Sequence, residues 1–471
     1  MRRITVFLLI FAMFATAACG DSSETETETS AESVNETTTA EPLPEYDFGG
    51  REYRILCRTD KDYEFNITSE TGDIVDDAVF ARNRKLNEQY NIFITPVMVD
   101  GDWNSRDLFI NAISSSVMSG SDEYDLIAGY NAYITTLITQ GYLLDLNQLD
   151  IDFSQPWWYA GFNDNIEIAN QRYFCLGDAS LTMWEGLEVV FFNKELAENY
   201  GITSLYEHVY DDTWTFDKLR EYCLLVSDDI DSDGLMDEND RWGMIFYNQR
   251  SLATYFGIDY CMTGEDGYPE ITLFNEQTVD AYDIIYDFMC VSNAAKQYAP
   301  DVDQQIFEEN RALFYQGPLR YAELFRDNTS DFGIVPFPKC SDGQDRYYTN
   351  VVDNLSVFCI PITAQDMEFN SVMLDALNRT SSELVIPQYY EQALMYKYTR
   401  DDDSVEMLDL IRDSVWFDFG YVYSQSLGGL GTFFDILNSN DPDISSAWVE
   451  REGAYNAALE TLIDYFSQSA E

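Results

Sequence analysis

The chain has 471 residues, of which 46% are hydrophobic, so it is long enough for two lobes that each bury a core. With 84 acidic and 27 basic residues, its formal charge at pH 7 is −57. No basic stripe is available for a phosphate backbone, so the charge excludes nucleic acid as a partner and leaves neutral or cationic ligands.

The start of the chain predicts an export signal that ends at a cysteine. Met1–Arg3 is basic, Val6–Ala18 is apolar, and Cys19 follows directly. The apolar run, about thirteen residues long, is too short to span a bilayer but suits a signal peptide over residues 1–18. Its end resembles the lipobox of bacterial lipoproteins, which implies a lipid on Cys19 and a place on the extracytoplasmic face of the cell membrane. The alternatives are an unprocessed signal and a weak transmembrane anchor.

Residues 19–45 form a spacer of low complexity, in which serine, threonine and glutamate predominate. Such a composition contains too few apolar groups to offset the entropy lost on folding. It therefore predicts a disordered tether between the lipid and a globular body. The body is expected to begin near Tyr46, shortly before the first β-rich segment.

Strands and helices alternate in the first part of the body. In chain order, the pattern predicts strand Glu52–Cys57, helix Val75–Tyr90, strand Ile92–Thr95, helix Trp103–Ser119 and strand Asp125–Ala128. This alternation indicates parallel βαβ units in an open sheet, where ligands gather beyond the carboxyl ends of the strands. Tyr130 and Asn131 follow the third strand closely, so they are the first candidate ligand contacts.

The segment Asp229–Asp240 has the spacing of a twelve-residue calcium loop. Gly234 stands where the loop turns sharply, and the predicted oxygen ligands come from Asp229, Asp231, Asp233, Leu235, Asp237 and Asp240. The last position carries aspartate where an EF-hand has glutamate, a variant that is similar to the calcium loops of dockerins. We expect calcium as a structural cofactor, whereas the alternative is a solvated acidic loop.

The rest of the chain continues the α/β pattern. Residues 157–310 mix strands and helices, strands follow at Asp331–Phe337 and Leu355–Ile360, and the tail from Glu368 is mainly helical. The cysteines besides Cys19 lack the spacing of a zinc site, and most are interpreted as small buried apolar residues. The sequence does not decide whether any of them form disulfides. The single histidine, His208, is interpreted as a surface or helix-end residue.

Short segments in a fixed order resemble the sugar-binding extracellular solute-binding proteins of bacterial ABC importers. They are Tyr46–Arg51, Asp125–Leu146, Val190–Lys194, Thr213–Leu219, Ala312–Pro318 and Gly333–Pro338. The resemblance covers residues 46–362 and implies a two-lobe α/β fold of the periplasmic-binding-protein type. In such a fold the ligand is trapped in the cleft when the lobes close.

The resemblance also implies that each lobe is discontinuous in sequence. Lobe 1 is expected to comprise residues 46–155 and 313–363, and lobe 2 is expected to comprise residues 156–312 and 364–471. The implied function is capture of a carbohydrate, expected to be an oligosaccharide, by a monomeric protein without catalytic activity. The captured sugar would then be delivered to an ABC permease in the membrane.

Sugar sites stack an aromatic ring on the apolar face of a pyranose and surround its hydroxyls with polar groups. Besides Tyr130 and Asn131, the candidates at the expected meeting of the lobes are Trp157, Trp158, Asp178, Trp184, Glu185, Asp353 and Asn354, with Trp416 in the tail. Gln316 and Gly317 are expected to bring backbone close to the ligand where the chain crosses between lobes. For each aromatic residue, the alternative is an ordinary place in the core.

Other functions stay open from the sequence. The same fold could bind a peptide or another small polar solute, or it could belong to an adhesive or sensory surface protein. A secreted carbohydrate-active enzyme is a further alternative, because a glycosidase needs two carboxylates and 84 acidic residues always provide a pair. Neither a Gly-x-Ser-x-Gly elbow nor a zinc helix motif is present to favour an enzyme.

Overall fold

The computed structural model describes residues 45–203, 205–297, 302–326, 331–340, 343–390 and 402–469. The predicted signal peptide, the predicted lipidation site Cys19 and the spacer up to residue 44 lie outside the described residues. Residues 44–471 form one unit, which contains two main β-sheets. Within the described residues, no helix has both the length and the apolar character that a membrane span requires.

Strands and helices alternate through most of this unit. The strands are β1 (Arg51–Arg58), β2 (Ile92–Val99), β3 (Leu126–Tyr130), β4 (Glu188–Asn193), β5 (Trp242–Phe246), β6 (Cys261–Thr263), β7 (Pro269–Ile271), β8 (Ala295–Gln297), β9 (Ala312–Pro318), β10 (Phe332–Val335) and β11 (Ser356–Cys359). The helices are α1 (Ile74–Tyr90), α2 (Arg106–Ser119), α3 (Asn131–Ile134), α4 (Ala160–Asn163), α5 (Leu181–Glu185), α6 (Lys194–Asn199), α7 (Leu205–Tyr210), α8 (Phe216–Val226), α9 (Ser251–Tyr255), α10 (Glu276–Tyr286), α11 (Asp303–Glu308), α12 (Tyr321–Phe325), α13 (Met367–Leu384), α14 (Asp402–Asp413), α15 (Phe419–Val422) and α16 (Ile444–Ser469). Short 3₁₀ segments lie at Thr59–Glu64, Thr135–Leu137, Leu146–Gln148 and Leu430–Ser439, and a π-helical turn lies at Asp287–Val291.

The first sheet has the strand order β11-β3-β1-β2. β1 pairs in parallel with both β2 and β3, so the predicted βαβ units are confirmed. β11 joins antiparallel to β3. The second sheet has the order β10-β4-β9-β5-β8, and β6 and β7 form a small antiparallel ribbon. The two main sheets with their covering helices make a mixed α/β fold with two lobes, as the sequence predicts.

Local sequence signals explain where several helices begin and end. The carboxylate of Asp73 accepts a hydrogen bond from the amide of Val75 at 2.9 Å and so caps the start of α1. The hydroxyl of Thr215 accepts from the amide of Lys218 and caps α8, within the Thr213–Leu219 motif. α2 ends at Gly120, whose φ of 67° is left-handed and favours glycine.

The chain crosses between the sheets in two antiparallel segments, residues 186–188 and 350–352. Their backbone hydrogen bonds run from Glu188 to Asn350 at 3.0 Å and from Val352 to Gly186 at 2.9 Å. A Cβ atom at position 186 would lie 2.9 Å from the carbonyl oxygen of Thr182. This close approach of backbone therefore requires Gly186. We call these two stretches the crossing segments.

Two buried glutamates bracket the crossing segments. On the side of the first sheet, Glu64 accepts hydrogen bonds from the hydroxyl of Ser356 at 2.6 Å and from the amide and hydroxyl of Thr182 at 3.1 and 3.2 Å. On the side of the second sheet, Glu188 accepts from the side-chain amide of Gln316 at 2.8 Å. Burial raises the pKa of both carboxyl groups. These polar contacts offset part of the cost of burying two acids.

The predicted lobe boundaries are corrected at two places. The sequence assigns residues 313–363 to lobe 1, but β9 and β10 lie in the second sheet and β11 is the strand that returns to the first. The physical reason is that β9, buried along its whole length, pairs with β4 on one edge and with β5 on the other. The sequence also assigns residues 364–471 to lobe 2, but α13 packs on α1 beside the first sheet, whereas α14 packs on β10.

The core of the second sheet can be tested at Trp214, whose side chain is fully buried. Its indole nitrogen donates to the carbonyl of Pro336 at 2.9 Å, and its ring packs on Phe314. We expect Trp214→Ala to lower the free energy of unfolding by about 3–5 kcal/mol, because a large buried ring is removed. Trp214→Phe should cost about 1–3 kcal/mol, because it loses the hydrogen bond and part of the ring. Equilibrium unfolding in urea measures both changes.

The matched control is Trp416→Phe, at a tryptophan whose side chain is 37% exposed. We expect this change to alter the free energy of unfolding by about 0.5 kcal/mol or less. If Trp214→Ala were no more destabilising than Trp416→Phe, the assignment of Trp214 to the core would be wrong.

Candidate ligand-binding cleft

A cleft opens where strands of both sheets end. Tyr130 is the last residue of β3 in the first sheet, and Tyr247 directly follows β5 in the second. Cavities of about 320 and about 200 Å³ lie at this point. Arg250, Asp353 and Tyr421 line both cavities, so the two adjoin, and together we call them the cleft. This is where ligands bind in open α/β sheets.

An arginine and two aspartates set the charge of the cleft. Nε of Arg250 donates to Oδ1 of Asp435 at 2.9 Å, and Nη2 donates to Oδ2 at 2.7 Å. Oδ1 of Asp353 accepts from the hydroxyl of Tyr130 at 3.1 Å, while its Oδ2 lies 4.0 Å from Nη1 of Arg250. Desolvation raises the pKa of the Asp353 carboxyl. Asp353 thus keeps one oxygen that can accept a hydrogen bond from a ligand.

Trp103 and Tyr130 form an aromatic wall on the side of the first sheet. Their ring centroids are 6.4 Å apart and the rings are inclined by 62°. Trp103 is 41% exposed and lines the smaller cavity. The guanidinium of Arg58 lies 4.8 Å from the Tyr130 ring centroid and donates to the carbonyl of Asn354 at 2.9 Å, which holds the ring in place. The wall therefore offers a partly exposed ring for stacking, beside the guanidinium of Arg106, which lies 4.6 Å from the Trp103 ring centroid.

Buried polar groups hold the loop after β5 in position. Oε1 of Gln316 accepts from the backbone amides of Tyr247 and Asn248 at 3.1 and 3.2 Å. Glu188 accepts from the side-chain amide of Asn248 at 3.0 Å. Since Gln316 also donates to Glu188, one connected network fixes the residues that line the cleft on the side of the second sheet.

The predicted residues that gather at the cleft are Tyr130, Asn131, Asp353 and Asn354. Tyr130 and Asp353 line it directly. Asn131 is buried, and its backbone amide donates to the carbonyl of Leu355 at 3.1 Å. Asn354 lies beside Asp353 and contributes its carbonyl to the contact with the arginine behind Tyr130. That these residues bind a ligand stays a prediction.

Gln316 and Gly317 support the cleft from beneath. Gln316 is fully buried, and its side-chain atoms are engaged by the loop after β5. A Cβ atom at position 317 would lie 2.8 Å from the ring of Tyr315 and 3.4 Å from Cβ of Tyr247. The ring of Tyr315, two residues earlier on the same strand, therefore accounts for glycine at position 317.

Trp158, Asp178 and Trp184 lie in the interior of the described chain. The ring of Trp158 packs on Phe153 at a centroid distance of 5.0 Å, and the ring of Trp184 packs on Tyr390 at 5.4 Å. Burial raises the pKa of Asp178 to about 6, although hydrogen bonds from hydroxyl groups oppose the shift. Trp158, Asp178 and Trp184 therefore lie where core residues lie. For the two tryptophans, this is the alternative to ligand binding that the sequence analysis leaves open.

Glu185 is engaged by neighbouring side chains. Its carboxylate oxygens accept from the hydroxyl of Tyr63 at 2.8 and 2.6 Å, and one of them lies 3.6 Å from the ammonium of Lys61. Its carbonyl accepts from the amide of Arg320 at 3.1 Å. Glu185 thus joins the turn after β1 to the chain that follows β9.

The sequence analysis does not predict several residues that line the cleft. They are Trp103, Tyr247, Asn248, Arg250, Tyr421 and Asp435. Residues 247–250 follow β5, so the strand-end rule that identified Tyr130 also applies to them. Tyr421 and Asp435 come from the tail, where the sequence indicates only helical character. No local signal could place these two residues at the cleft.

The predicted calcium loop brings three of its acids together. Oxygens of Asp229, Asp231 and Asp233 lie within 4.8 Å of one another. Gly234 has a φ of 87°, so the sharp turn is present. The two carboxylate oxygens of Asp240 instead accept from the amides of Ile230 and Asp237, at 2.8 and 2.9 Å, which closes the loop. Calcium binding stays a prediction.

His208 and the cysteines of the described residues lie outside the cleft, in helices, strands and loops of the fold. His208 lies in the last turn of α7, and its two ring nitrogens are each 2.8 Å from a hydroxyl oxygen, those of Thr213 and Tyr222. The cysteines of the described residues are free, and most are buried, as the sequence analysis expects. None of these groups lines the cleft among the residues that the structure describes.

Comparison with known proteins gives a family match. A model of the family "Bacterial extracellular solute-binding protein" matches residues 91–359, more than half of the chain. The matched stretch begins beside β2 and ends with β11, so it includes strands of both main sheets. A search of curated proteins finds no match.

Solved structures share the fold at low sequence identity. The cyclic α-maltosyl-1,6-maltose binding protein from Arthrobacter globiformis is 15% identical with a TM-score of 0.60, and the alignment covers 87% of this chain and 99% of that chain. The maltose/maltodextrin-binding domain from Bdellovibrio bacteriovorus, bound to maltotriose, is 16% identical with a TM-score of 0.55 and coverage of 88% and 100%. An ABC substrate-binding protein from Listeria monocytogenes, in complex with cycloalternan, is 13% identical with a TM-score of 0.54 and coverage of 88% and 99%. At these identities the likeness shows the two-lobe fold alone.

Asp178 should make stability depend on pH. Because its folded-state pKa of about 6 exceeds the usual value of 3.8, its contribution to stability is full below about pH 4 and is lost as the pH rises through about 6. Asp178→Asn removes this pH-dependent loss of stability, because an amide does not ionise, and its oxygen can still accept hydrogen bonds from the neighbouring hydroxyl groups. We expect the variant to gain about 1–1.5 kcal/mol relative to wild type between pH 5 and pH 8, measured by urea unfolding.

Asp107→Asn is the control, since the Asp107 side chain is 82% exposed on α2. Its stability should follow that of the wild type across the same pH range. Parallel curves for Asp178→Asn and wild type would show that the Asp178 carboxyl titrates normally, contrary to this prediction.

Proposed function

Because the chain belongs to the family of bacterial extracellular solute-binding proteins, we propose that it captures an oligosaccharide in the cleft and delivers it to an ABC permease in the membrane. The composition of the cleft carries this proposal. An exposed tryptophan faces acid, amide and guanidinium groups, which together suit a stacked ring rich in hydroxyls. Similar proteins of known structure are bound to maltotriose and to cycloalternan, which supports a carbohydrate ligand.

Ligand capture depends on the fact that residues from both main sheets line the cleft. Trp103 and Tyr130 belong to the side of the first sheet, whereas Tyr247 and Arg250 follow a strand of the second. A ligand that touches both sides interacts more strongly with a closed arrangement than with an open one. It therefore shifts the population of the protein towards the closed form. The closed form is the one that we propose to dock on the permease.

A secreted carbohydrate-active enzyme is the second candidate, and one observation favours it. Desolvation raises the pKa of Asp353, whereas Asp435 is paired with Arg250 through two hydrogen bonds. Two carboxyl groups in such different environments are what a glycosidase needs for its acid and its base. We propose binding rather than catalysis because the family is one of solute-binding proteins.

We also propose that a lipid on Cys19 holds the protein at the extracytoplasmic face of the membrane, with residues 19–45 as a tether. The net charge of −57 supports this arrangement. Anionic lipid head groups repel such a protein, so attachment needs an anchor other than surface charge. We propose that the protein acts as a monomer.

Sugar binding can be tested with a panel of maltose-, cello-, xylo- and chito-oligosaccharides. A sugar that binds only the native state raises the Tm, and we expect a clear rise with at least one class. Trp103→Ala should weaken the binding of that sugar about tenfold, because a stacking ring is lost. Thermal unfolding identifies the sugar, and titration calorimetry measures the change in Kd.

Leu108→Ala is the matched control, since Leu108 is also exposed in this region, on α2, but does not line the cleft cavities. It should leave the Kd unchanged. A response to peptides or to other polar solutes, with none to sugars, would contradict the carbohydrate assignment. Chromatography of the sugar after incubation separates a binder, which returns it intact, from an enzyme, which releases products.

We propose that calcium stabilises the loop of residues 229–240, which leads from α8 into β5. The indole nitrogen of Trp242 donates to the carbonyl of Asp237 at 2.8 Å, so the loop is fastened to the first residue of β5. Converging carboxylates supply the hard oxygen ligands that calcium prefers.

Calcium at about 1 mM should raise the Tm of the wild-type protein, because the ion binds the folded loop and not the unfolded chain. Asp231→Ala should abolish this rise. Glu238→Ala, which removes an exposed acid of the same loop that is not a predicted ligand, should retain it. A Tm that is the same with calcium and with a chelator would refute the calcium assignment.

A further inference from the structure

Of the two carboxylates that line the cleft, one forms a hydrogen-bonded ion pair with Arg250 and the other does not. Arg250 directs Nε and Nη2 to the two oxygens of Asp435, at 2.9 and 2.7 Å, so this carboxylate neutralises its charge. Oδ2 of Asp353 lies 4.0 Å from Nη1 of Arg250, which is beyond hydrogen-bond distance. Among the described residues that line the cleft cavities, one cation thus faces two carboxylates.

Two cations lie just outside the cavities. Nη2 of Arg320 donates to the hydroxyl of Tyr247 at 3.3 Å, and the guanidinium of Arg106 lies 4.6 Å from the centroid of the Trp103 ring.

A third cation outside the cavities is paired with an acid. Arg58 lies behind the ring of Tyr130, and its Nε is 3.6 Å from the carboxylate of Asp60. Glu188 lies beneath Asn248 and adds a further acid. The net charge of the chain, −57, has the same sign. Inside the cavities, where one cation faces two carboxylates, an additional negative charge is therefore disfavoured.

Asp353 occupies the central place in this arrangement. It lines both cavities and follows directly after the crossing segment of residues 350–352. The hydroxyl of Tyr130, from the first sheet, orients the carboxylate by donating to Oδ1 at 3.1 Å. The second oxygen stays available near Arg250, which follows a strand of the second sheet.

We propose that Asp353 is a specificity-determining residue that makes the cleft select neutral or amino sugars and reject uronic acids. The proposal rests on the carbohydrate function proposed above. Oδ2 accepts a hydrogen bond from a sugar hydroxyl or ammonium group, and Nη1 of Arg250 donates to a neighbouring sugar oxygen. A carboxylate on the sugar meets a like charge at Asp353 and finds no cation that is free of a carboxylate partner among the described cleft residues.

The test uses matched sugars that differ in charge and share their ring stereochemistry. The probes are maltotriose, cellotriose, the forms of both oxidised to glucuronates at the primary hydroxyls, and the β-1,4-linked trimer of glucosamine. Titration calorimetry gives the Kd of each for the purified protein. We expect a neutral sugar to bind at least about tenfold more tightly than its oxidised form, and the glucosamine trimer to bind at least about tenfold more tightly than oxidised cellotriose.

Asp353→Asn removes the negative charge and keeps an acceptor for the Tyr130 hydroxyl. We expect it to reduce the preference for the neutral over the oxidised sugar about tenfold. Asp435→Asn releases the charge of Arg250 and should shift the preference in the same direction, which provides a second variant if Asp353→Asn does not fold. Asp107→Asn changes the total charge equally at an exposed position on α2 and should leave the preference unchanged.

The outcomes separate this proposal from the function on which it rests. If no sugar of this set and none of the oligosaccharide panel described above binds, the carbohydrate function fails and the role of Asp353 fails with it. If a neutral sugar binds but its oxidised form binds equally well, the specificity role alone is wrong. The same conclusion follows if both cleft variants fold and neither changes the preference.

Discussion

Two buried carboxylates, Glu64 and Glu188, hold the crossing between the sheets in place. Each is satisfied by hydroxyl or amide donors, so removing one donor would leave a buried polar group without its partner. Glu64 joins Thr182, which precedes one crossing segment, to Ser356, which follows the other, next to the first sheet. Glu188, the last residue of one crossing segment, is connected to the loop after β5 through Gln316. The shape of the cleft depends on these contacts, because Asp353 follows one crossing segment directly.

The cleft combines two different kinds of wall. The first sheet supplies aromatic rings, with a buried arginine behind one of them. The second sheet and the tail supply the ion pair between Arg250 and Asp435 and the amide of Asn248. Stacking on one side and hydrogen bonding on the other suit a ligand with an apolar face and a polar edge. Neither wall alone recognises both features, so recognition requires the two sheets to act together.

The sequence could predict those features that are encoded locally. The periodicity of β1, α1 and β2 and the turn after β3 led to the correct first sheet and to Tyr130, because strand ends carry ligands in this kind of fold. The sheet membership of β9 could not be predicted, because pairing joins strands far apart in the chain and each is a short apolar run. The sequence also could not predict the burial of Asp178 and Trp184, since a polar or aromatic residue has the same local pattern in a core as in a cleft. The places of Tyr421 and Asp435 depend on how the tail packs, which local patterns do not encode.

The ion pair between Arg250 and Asp435 joins residues 185 positions apart in sequence. During synthesis, strand β5 and its loop emerge long before the 3₁₀ segment Leu430–Ser439 that carries Asp435. Closing so large a loop is entropically costly and is delayed until the non-local contacts on both sides can form. All strands of both main sheets are therefore synthesised before the residue that completes the charged wall of the cleft, and the cleft is finished late in folding.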